Sequence, residues 1–139
     1  MDYQGNLYYT QTGAYFPVHM IIPNSSGDYT TYSSGFSPVA DDIMDSTLFV
    51  RPMDVAVDKD RNIYIVDATN RDVSVFNANG EFFKKAGYAS KEDTVSIMKE
   101  PVSVTVDKRG VVYVCDKGDG AIYRFKLSNT LDEDLKTED

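Results

Sequence analysis

The sequence repeats itself, and this repetition restricts the possible folds more than any other feature. Residues 52–58, Pro-Met-Asp-Val-Ala-Val-Asp, align without a gap with residues 101–107, Pro-Val-Ser-Val-Thr-Val-Asp, at an offset of 49 residues. Each copy continues through a short polar turn into an apolar run, at residues 63–67 and 112–116. Repetition at a fixed period is typical of stacked supersecondary units, each of which buries its apolar surface against its neighbours.

The middle repeat is complete and predicts four strands. Turns that contain Asp, Asn and Gly separate the strands, which we place at Asp54–Val57, Ile63–Val66, Val73–Phe76 and Phe82–Lys85. The second strand is apolar at successive positions, as expected for a sheet that is covered on both faces. We therefore expect an all-β fold of four-stranded antiparallel meanders, and repeats of about 40 to 50 residues with four strands are typical of β-propeller blades.

The first and third repeats are shorter than the middle one. Residues 2–8 match residues 58–64, but no opening strand precedes them. The third repeat reaches Phe125 and then gives way to an acidic tail, so we expect it to lack a closing strand. The predicted organisation is a partial first blade with a long connecting loop (1–50), a complete blade with its connecting loop (51–99), a partial third blade (100–127) and an acidic tail (128–139).

The pattern Pro-x-x-Val-Ala-Val-Asp-x-x-x-Asn-Ile-Tyr-Ile-Val-Asp, followed by Val-Phe and a Gly, resembles the NHL repeat. The resemblance covers most of residues 51–87 and 100–125, and residues 2–35 more weakly. It implies a β-propeller of NHL-type blades, about three in this chain. The family usually places Arg just before the apolar residue that opens the third strand, whereas this chain has other residues there, namely Asp72, Ala121 and His19.

The opening segment, residues 2–18, is also similar to the start of bacterial cell-surface NHL proteins, in which such blades precede a membrane-anchored region. This resemblance implies an extracytoplasmic or cell-surface location. It also implies that the chain is part of a longer protein with further blades.

Composition argues against several classes of partner. The formal net charge is −8, whereas a nucleic-acid surface needs clustered Lys and Arg to displace counterions. No stretch approaches the roughly 18 apolar residues that span a bilayer, so we expect no direct membrane contact from this segment. The single cysteine, Cys115, lies in an apolar run and is expected to be a buried small hydrophobe.

Two sequence features suggest a metal site, and each has a simpler interpretation. The alternating oxygen ligands of Asp58, Asp60 and Asn62 are typical of a calcium loop, but the loop lacks the glycine and the glutamate that complete such a site. We favour a plain hairpin turn there. His19 is the only histidine, and zinc or general-base sites usually combine several ligating side chains. No catalytic, metal or cofactor site is therefore predicted.

Two further residue types recur at equivalent positions. Asp67 and Asp116 end the second strands, where a carboxylate accepts backbone N–H bonds from the following loop. Tyr8, Tyr64 and Tyr113 recur within the second strands and are expected to pack between blades.

The loops after the second strands and before the first strands should share one rim, where binding residues gather on a rigid scaffold. The candidate binding residues on this rim are Gln11, Thr12, Tyr15, Phe16, Asp67, Thr69, Asn70, Arg71, Asp116, Lys117 and Asp119. Tyr15 and Phe16, beside Pro17, are either an apolar anchor for a ligand or buried against the next blade.

These features favour a non-catalytic interaction or scaffold module that binds a protein, peptide or glycan. The alternative is a fragment of a propeller hydrolase or lyase whose catalytic residues lie on missing blades or on a partner chain. Propellers usually have at least four blades, and unpaired strand edges invite partners. Two copies could therefore form a homodimer that closes a six-bladed ring, each chain completing the strands that the other lacks.

Overall fold

The computed structural model of the protein describes residues 1–10, 18–29, 49–78, 82–88, 95–126 and 136–138. Within these ranges the chain forms strands and turns. The strands are β1 (Leu7–Thr10), β2 (Val18–Ile21), β3 (Pro52–Val57), β4 (Ile63–Asp67), β5 (Asp72–Phe76), β6 (Phe82–Ala86), β7 (Pro101–Val106), β8 (Val111–Asp116), β9 (Ala121–Lys126) and β10 (Lys136–Glu138). None of the residues in these ranges forms a helix that could cross a membrane.

The strands form three antiparallel sheets that follow one another along the chain. The first sheet contains β1 and β2, the middle sheet runs β3-β4-β5-β6, and the third sheet runs β7-β8-β9-β10. The predicted all-β class and the four-stranded meander of the middle repeat are confirmed. Residues 27–35 of the first repeat parallel residues 80–87, which include the closing strand of the middle repeat, and they lie outside the described residues from residue 30 onward.

The third sheet corrects one prediction, because it does have a closing strand. β10 lies antiparallel to β9, with Lys136 opposite Lys126 and Thr137 opposite Phe125. The Lys-Thr-Glu sequence of β10 has neither the apolar alternation nor the β-branched content that marks a strand. An edge strand can be held by backbone hydrogen bonds alone, so side-chain patterning did not reveal it.

The middle sheet is covered on both faces, as its uninterrupted apolar second strand predicted. Tyr64 and Val66 point to one face of β4, and Ile63 and Ile65 point to the other. One core, between the middle and third sheets, comprises Tyr64, Val66, Val73, Val75, Ala86, Met98, Val104, Val112, Val114 and Phe125. A second core, between the first and middle sheets, comprises Met20, Phe49, Ile63, Ile65 and Phe76. The described sheets thus form a stack of three and do not close into a ring.

Cys115 is exposed, which corrects the expectation of a buried side chain. Its neighbours Val114 and Asp116 are buried, because alternate residues of β8 point to opposite faces of the third sheet. Cys115 lies opposite Ser103 and Ile122, on the face that points away from the middle sheet. An apolar run therefore did not imply two covered faces in this sheet.

Candidate functional site

At one end of the middle sheet, the Asp58 turn is a hairpin closed by its own carboxylate. One oxygen of Asp58 accepts the backbone N–H groups of Asp60 (2.8 Å) and Asn62 (2.9 Å). The other oxygen accepts the Asn62 side-chain amide (2.9 Å) and the Tyr64 hydroxyl (2.8 Å). The hairpin interpretation of this segment is confirmed. Both Asp58 oxygens, which would have to be ligands of a calcium ion, already accept hydrogen bonds within the turn.

The same turn occurs in all three repeats. The Tyr8 hydroxyl donates to Asp2 (2.9 Å), and the Tyr113 hydroxyl donates to Asp107 (3.1 Å). In each turn the third residue after the aspartate has a positive φ, namely Gly5 (86°), Arg61 (65°) and Gly110 (83°). The recurrent tyrosines therefore donate a hydrogen bond to the turn aspartate, and Tyr8 and Tyr64 also pack between sheets. Tyr64 is fully buried, whereas Tyr8 and Tyr113 are half-buried.

At the opposite end of the middle sheet, Asp67 joins two segments of backbone. Its Oδ1 accepts the N–H groups of Thr69 and Asn70, both at 2.9 Å. Its Oδ2 accepts the N–H groups of Val50 (2.7 Å) and Arg51 (2.9 Å), which precede β3. The expected loop cap is present, and the same carboxylate also holds the segment that enters the sheet.

Asp116 does the same in the third sheet. Its two oxygens accept the backbone N–H groups of Lys99 (2.7 Å), Glu100 (2.9 Å), Gly118 (2.8 Å) and Asp119 (3.2 Å). Burial alone would raise the pKa of Asp116, but these four donors together hold it below its ordinary value.

The two carboxylates are buried, with exposed fractions of 0% for Asp67 and 2% for Asp116. Both oxygens of each carboxylate accept hydrogen bonds from backbone N–H groups. The expectation that they are displayed as binding residues on the rim is therefore wrong, because the loops they organise cover them. We call this arrangement, Asp67 or Asp116 with its four N–H donors, the carboxylate clamp.

Each clamp holds the loop that follows the second strand of a sheet beside the segment that leads into its first strand. The predicted common rim therefore exists in the middle and third sheets. The Ala68 N–H donates to the Arg51 carbonyl (3.1 Å), and the Lys117 N–H donates to the Glu100 carbonyl (2.9 Å). Of the candidate residues on this rim, Thr69, Arg71, Lys117 and Asp119 are exposed and Asn70 is half-buried. The remaining candidates, Gln11, Thr12, Tyr15 and Phe16, lie outside the described residues.

A depression of about 560 Å³ opens on this rim. Its lining residues are Thr10, Arg51, Pro52, Met53, Glu100, Val102 and Lys117. They come from the end of β1, the entries to β3 and β7, and the loop after β8. We call this feature the rim depression, and it is the candidate functional site.

Two equivalent β-bulges shape the rim depression. Pro52 lies opposite Asp67 while Asp54 lies opposite Val66, so Met53 is an extra residue in β3. Val102 is the extra residue at the corresponding position of β7. A bulge bends the strand and re-aims a side chain, and here both extra residues line the depression. Met53 remains 40% exposed, which is high for a large apolar side chain.

Charged side chains border these apolar residues. Arg51 Nη2 lies 3.4 Å from Glu100 Oε1, and both side chains are nearly half-exposed, so water weakens this ion pair. Beside the depression, the Lys99 ammonium lies 2.9 Å from an Asp119 carboxylate oxygen. The Tyr123 hydroxyl and, to a smaller extent, Lys99 hold the pKa of Asp119 below its ordinary value.

Sequence reasoning identified the rim but missed most of the rim depression. Among the described residues that line it, Lys117 is the only predicted binding residue. The recurrent prolines Pro52 and Pro101 mark the strand entries in the sequence, and this signal could have drawn attention to the residues that follow them. The bulges themselves depend on cross-strand register, which the sequence does not display.

The described residues include no group of three or more His, Cys, Asp and Glu side chains that converge on a metal-sized site. The sole histidine, His19, lies in β2 opposite Tyr9. No protein-family model matches the chain, and no curated protein matches its sequence.

Proposed function

We propose that the chain is a non-catalytic binding module that engages a peptide segment of a partner protein at the rim depression. The observation that carries this proposal is the pair of equivalent bulges, which turn Met53 and Val102 toward the depression at the same point of two consecutive repeats. Apolar side chains held by a rigid sheet are suitable anchors for a ligand, because they lose little conformational freedom on binding.

The charges suggest the chemistry of that peptide. The cations Arg51 and Lys117 border the apolar residues, and Glu100, the one acid among the described lining residues, is already paired with Arg51. A peptide carboxylate can compete for Arg51 because the existing ion pair is exposed and weak. We therefore propose a peptide that combines an acidic residue with a large apolar one.

We also propose that the three sheets are NHL-type blades of a β-propeller in a cell-surface or secreted protein. The resemblance of residues 51–87 and 100–125 to the NHL repeat supports the blades, as does the face-to-face stacking of the sheets. The similarity of the opening segment to bacterial cell-surface proteins supports the location.

Panning a random octapeptide display library against the 139-residue chain tests the binding proposal. We expect enrichment of peptides that pair Asp or Glu with a large apolar residue. Binding of the most enriched peptide, measured by fluorescence anisotropy, should weaken about tenfold or more in Met53→Asp and in Lys117→Glu. The bound peptide should be recovered intact.

Matched controls separate the rim depression from general charge effects. Lys108→Glu changes an exposed lysine in the hairpin turn at the other end of the third sheet, and Val95→Asp changes an apolar residue that is 76% exposed. Both should leave the affinity within about twofold. A library that enriches no peptide, or peptide binding that survives both rim variants, contradicts the proposal. Cleavage of the peptide would instead favour the hydrolase alternative.

A further inference from the structure

Each interface between the sheets uses the same two kinds of face. The middle sheet turns Tyr64, Val66 and Val73 toward the sheet that follows it in the chain. It turns Ile63 and Ile65 toward the sheet that precedes it. We call these the forward face and the backward face. Since Tyr8 packs against the middle sheet, the first sheet also uses its forward face there.

The forward face of the third sheet has no sheet packed on it among the described residues. Strand register places Cys115 and Ile122 opposite each other on this face, at the positions that Val66 and Val73 occupy in the middle sheet. Val66 and Val73 have exposed fractions of 0%, whereas Ile122 is 69% exposed. Equivalent positions of the repeat are thus covered by the next sheet in the middle sheet and exposed in the third sheet.

The first sheet carries the complementary feature at the other end of the stack. Because Tyr8 points to the middle sheet, the alternation of β1 places Leu7 and Tyr9 on the backward face. Ile21 lies opposite Leu7 in β2 and shares that face. Leu7 and Ile21 are half-buried and Tyr9 is 37% exposed. The equivalents of Leu7 and Tyr9 in the middle sheet, Ile63 and Ile65, are fully buried in a sheet interface.

We propose that the forward face of the third sheet packs against the backward face of the first sheet in a second copy of this chain. In a closed twofold dimer of six stacked sheets, two copies then cover the two faces of each chain that no described sheet covers. The interface would continue the packing that each chain already uses twice internally. This dimer does not depend on exchanged strands, because β10 already closes the third sheet.

The interfaces within the chain also show how polar side chains would be hydrogen-bonded in the proposed interface between two copies. Asp54, on the forward face of the middle sheet, accepts the Val104 N–H (2.9 Å) and the Ser103 hydroxyl (3.1 Å) of the third sheet. Ser103 is the counterpart of Asp54 in the repeat, and its hydroxyl is already bonded. The third sheet therefore has an uncharged serine, bonded to the middle sheet, at the position where the middle sheet has a carboxylate that needs donors.

Light scattering across a concentration series tests the dimer. We expect the wild-type chain to approach twice the monomer mass at high concentration and Ile122→Asp to remain monomeric. The matched control, Val95→Asp, adds the same charge at an exposed apolar residue in the connection before β7, and it should dimerise as the wild type does. A monomeric wild type, or a dimer that Ile122→Asp leaves intact, would overturn the proposal.

Cys115 provides a second measurement that needs no variant, because it is the only thiol in the chain and lies on the proposed interface. Its rate of reaction with a small disulfide reagent should fall at least about tenfold between dilute and concentrated protein. Full alkylation with a bulky maleimide should leave the chain monomeric. A labelling rate that does not depend on protein concentration contradicts burial of this face.

Discussion

At the residue scale, the hairpin aspartates show how one side chain organises a turn. Asp107 is bonded within its own turn and also receives the Arg109 guanidinium, at 3.1 Å from Nε and 2.7 Å from Nη2. Arg109 is the main cause that lowers the pKa of Asp107 to about 2, and the backbone and Tyr113 donors add to it. In the first repeat the corresponding carboxylate, Asp2, receives Arg61 of the next turn instead.

We predict that the Asp107 carboxyl titrates near pH 2 and that Arg109→Gln raises this pKa toward the ordinary value of 3.8. Because the folded pKa lies below the unfolded one, Asp107 stabilises the fold above about pH 4. This contribution is lost as the pH falls toward about 2. Carbon-detected NMR titration of the carboxyl measures the shift. Lys108→Gln is the control, and an equal change in that variant would show that Arg109 is not the cause.

At the element scale, the carboxylate clamp joins each sheet to the segment that enters it. Four backbone N–H groups converge on Asp116, and they belong to residues on both sides of the β7-β8 hairpin. A buried donor left without an acceptor costs about 1–3 kcal/mol, so the loss of one clamp oxygen should destabilise the backbone segment whose N–H group it accepted.

We predict that Asp116→Asn lowers the free energy of unfolding by about 2–3 kcal/mol, because an amide nitrogen cannot accept the N–H bonds that the carboxylate oxygen accepts. Urea denaturation measures the change. Amide hydrogen exchange should accelerate at Lys99, which donates to Oδ2, because the amide oxygen of asparagine can take the place of Oδ1 and keep its three donors. Asp119→Asn alters an exposed carboxylate three residues away and should have an effect below about 1 kcal/mol. Equal effects in the two variants would argue against the clamp.

At the scale of the whole molecule, the two cores share the middle sheet, and one buried cation lies beside them. Lys84 is 9% exposed and lies opposite Val75, which belongs to the core between the middle and third sheets. Its ammonium nitrogen is buried and makes no hydrogen bond to any described residue. Its neighbour Lys85, by contrast, lies 3.3 Å from the buried Asp72 carboxylate.

We predict that Lys84→Met raises the free energy of unfolding by about 1–2 kcal/mol, because methionine fills similar volume without a buried charge that has no partner among the described residues. The matched variant Lys85→Met should lower it by about 1–3 kcal/mol, because Asp72 would lose its cation in a buried position. Burial already raises the pKa of Asp72. Chemical denaturation of both variants tests the contrast, and a loss of stability in Lys84→Met would contradict it.

The candidate site was only partly predictable. The rim followed from the repeat, because loops that end equivalent strands gather at one end of stacked sheets. Met53 and Val102 were not predicted, since a bulge is a property of pairing between strands. Asp67 and Asp116 were correctly identified as loop caps, yet their burial was missed because their donors include residues 16 and 17 positions earlier in the chain.

The sequence by itself determined the features that depend on short-range chemistry. Groups that are close in the chain determine the period-two and the continuous apolar patterns of the strands. They also determine the hairpins, each of which is closed by an aspartate and by a tyrosine six residues later. Only the tertiary structure decided the pairing of β10, the exposure of Cys115 and the shape of the rim depression. Each of these depends on which distant backbone segment or sheet lies alongside, and contacts of that kind leave no local pattern in the residues.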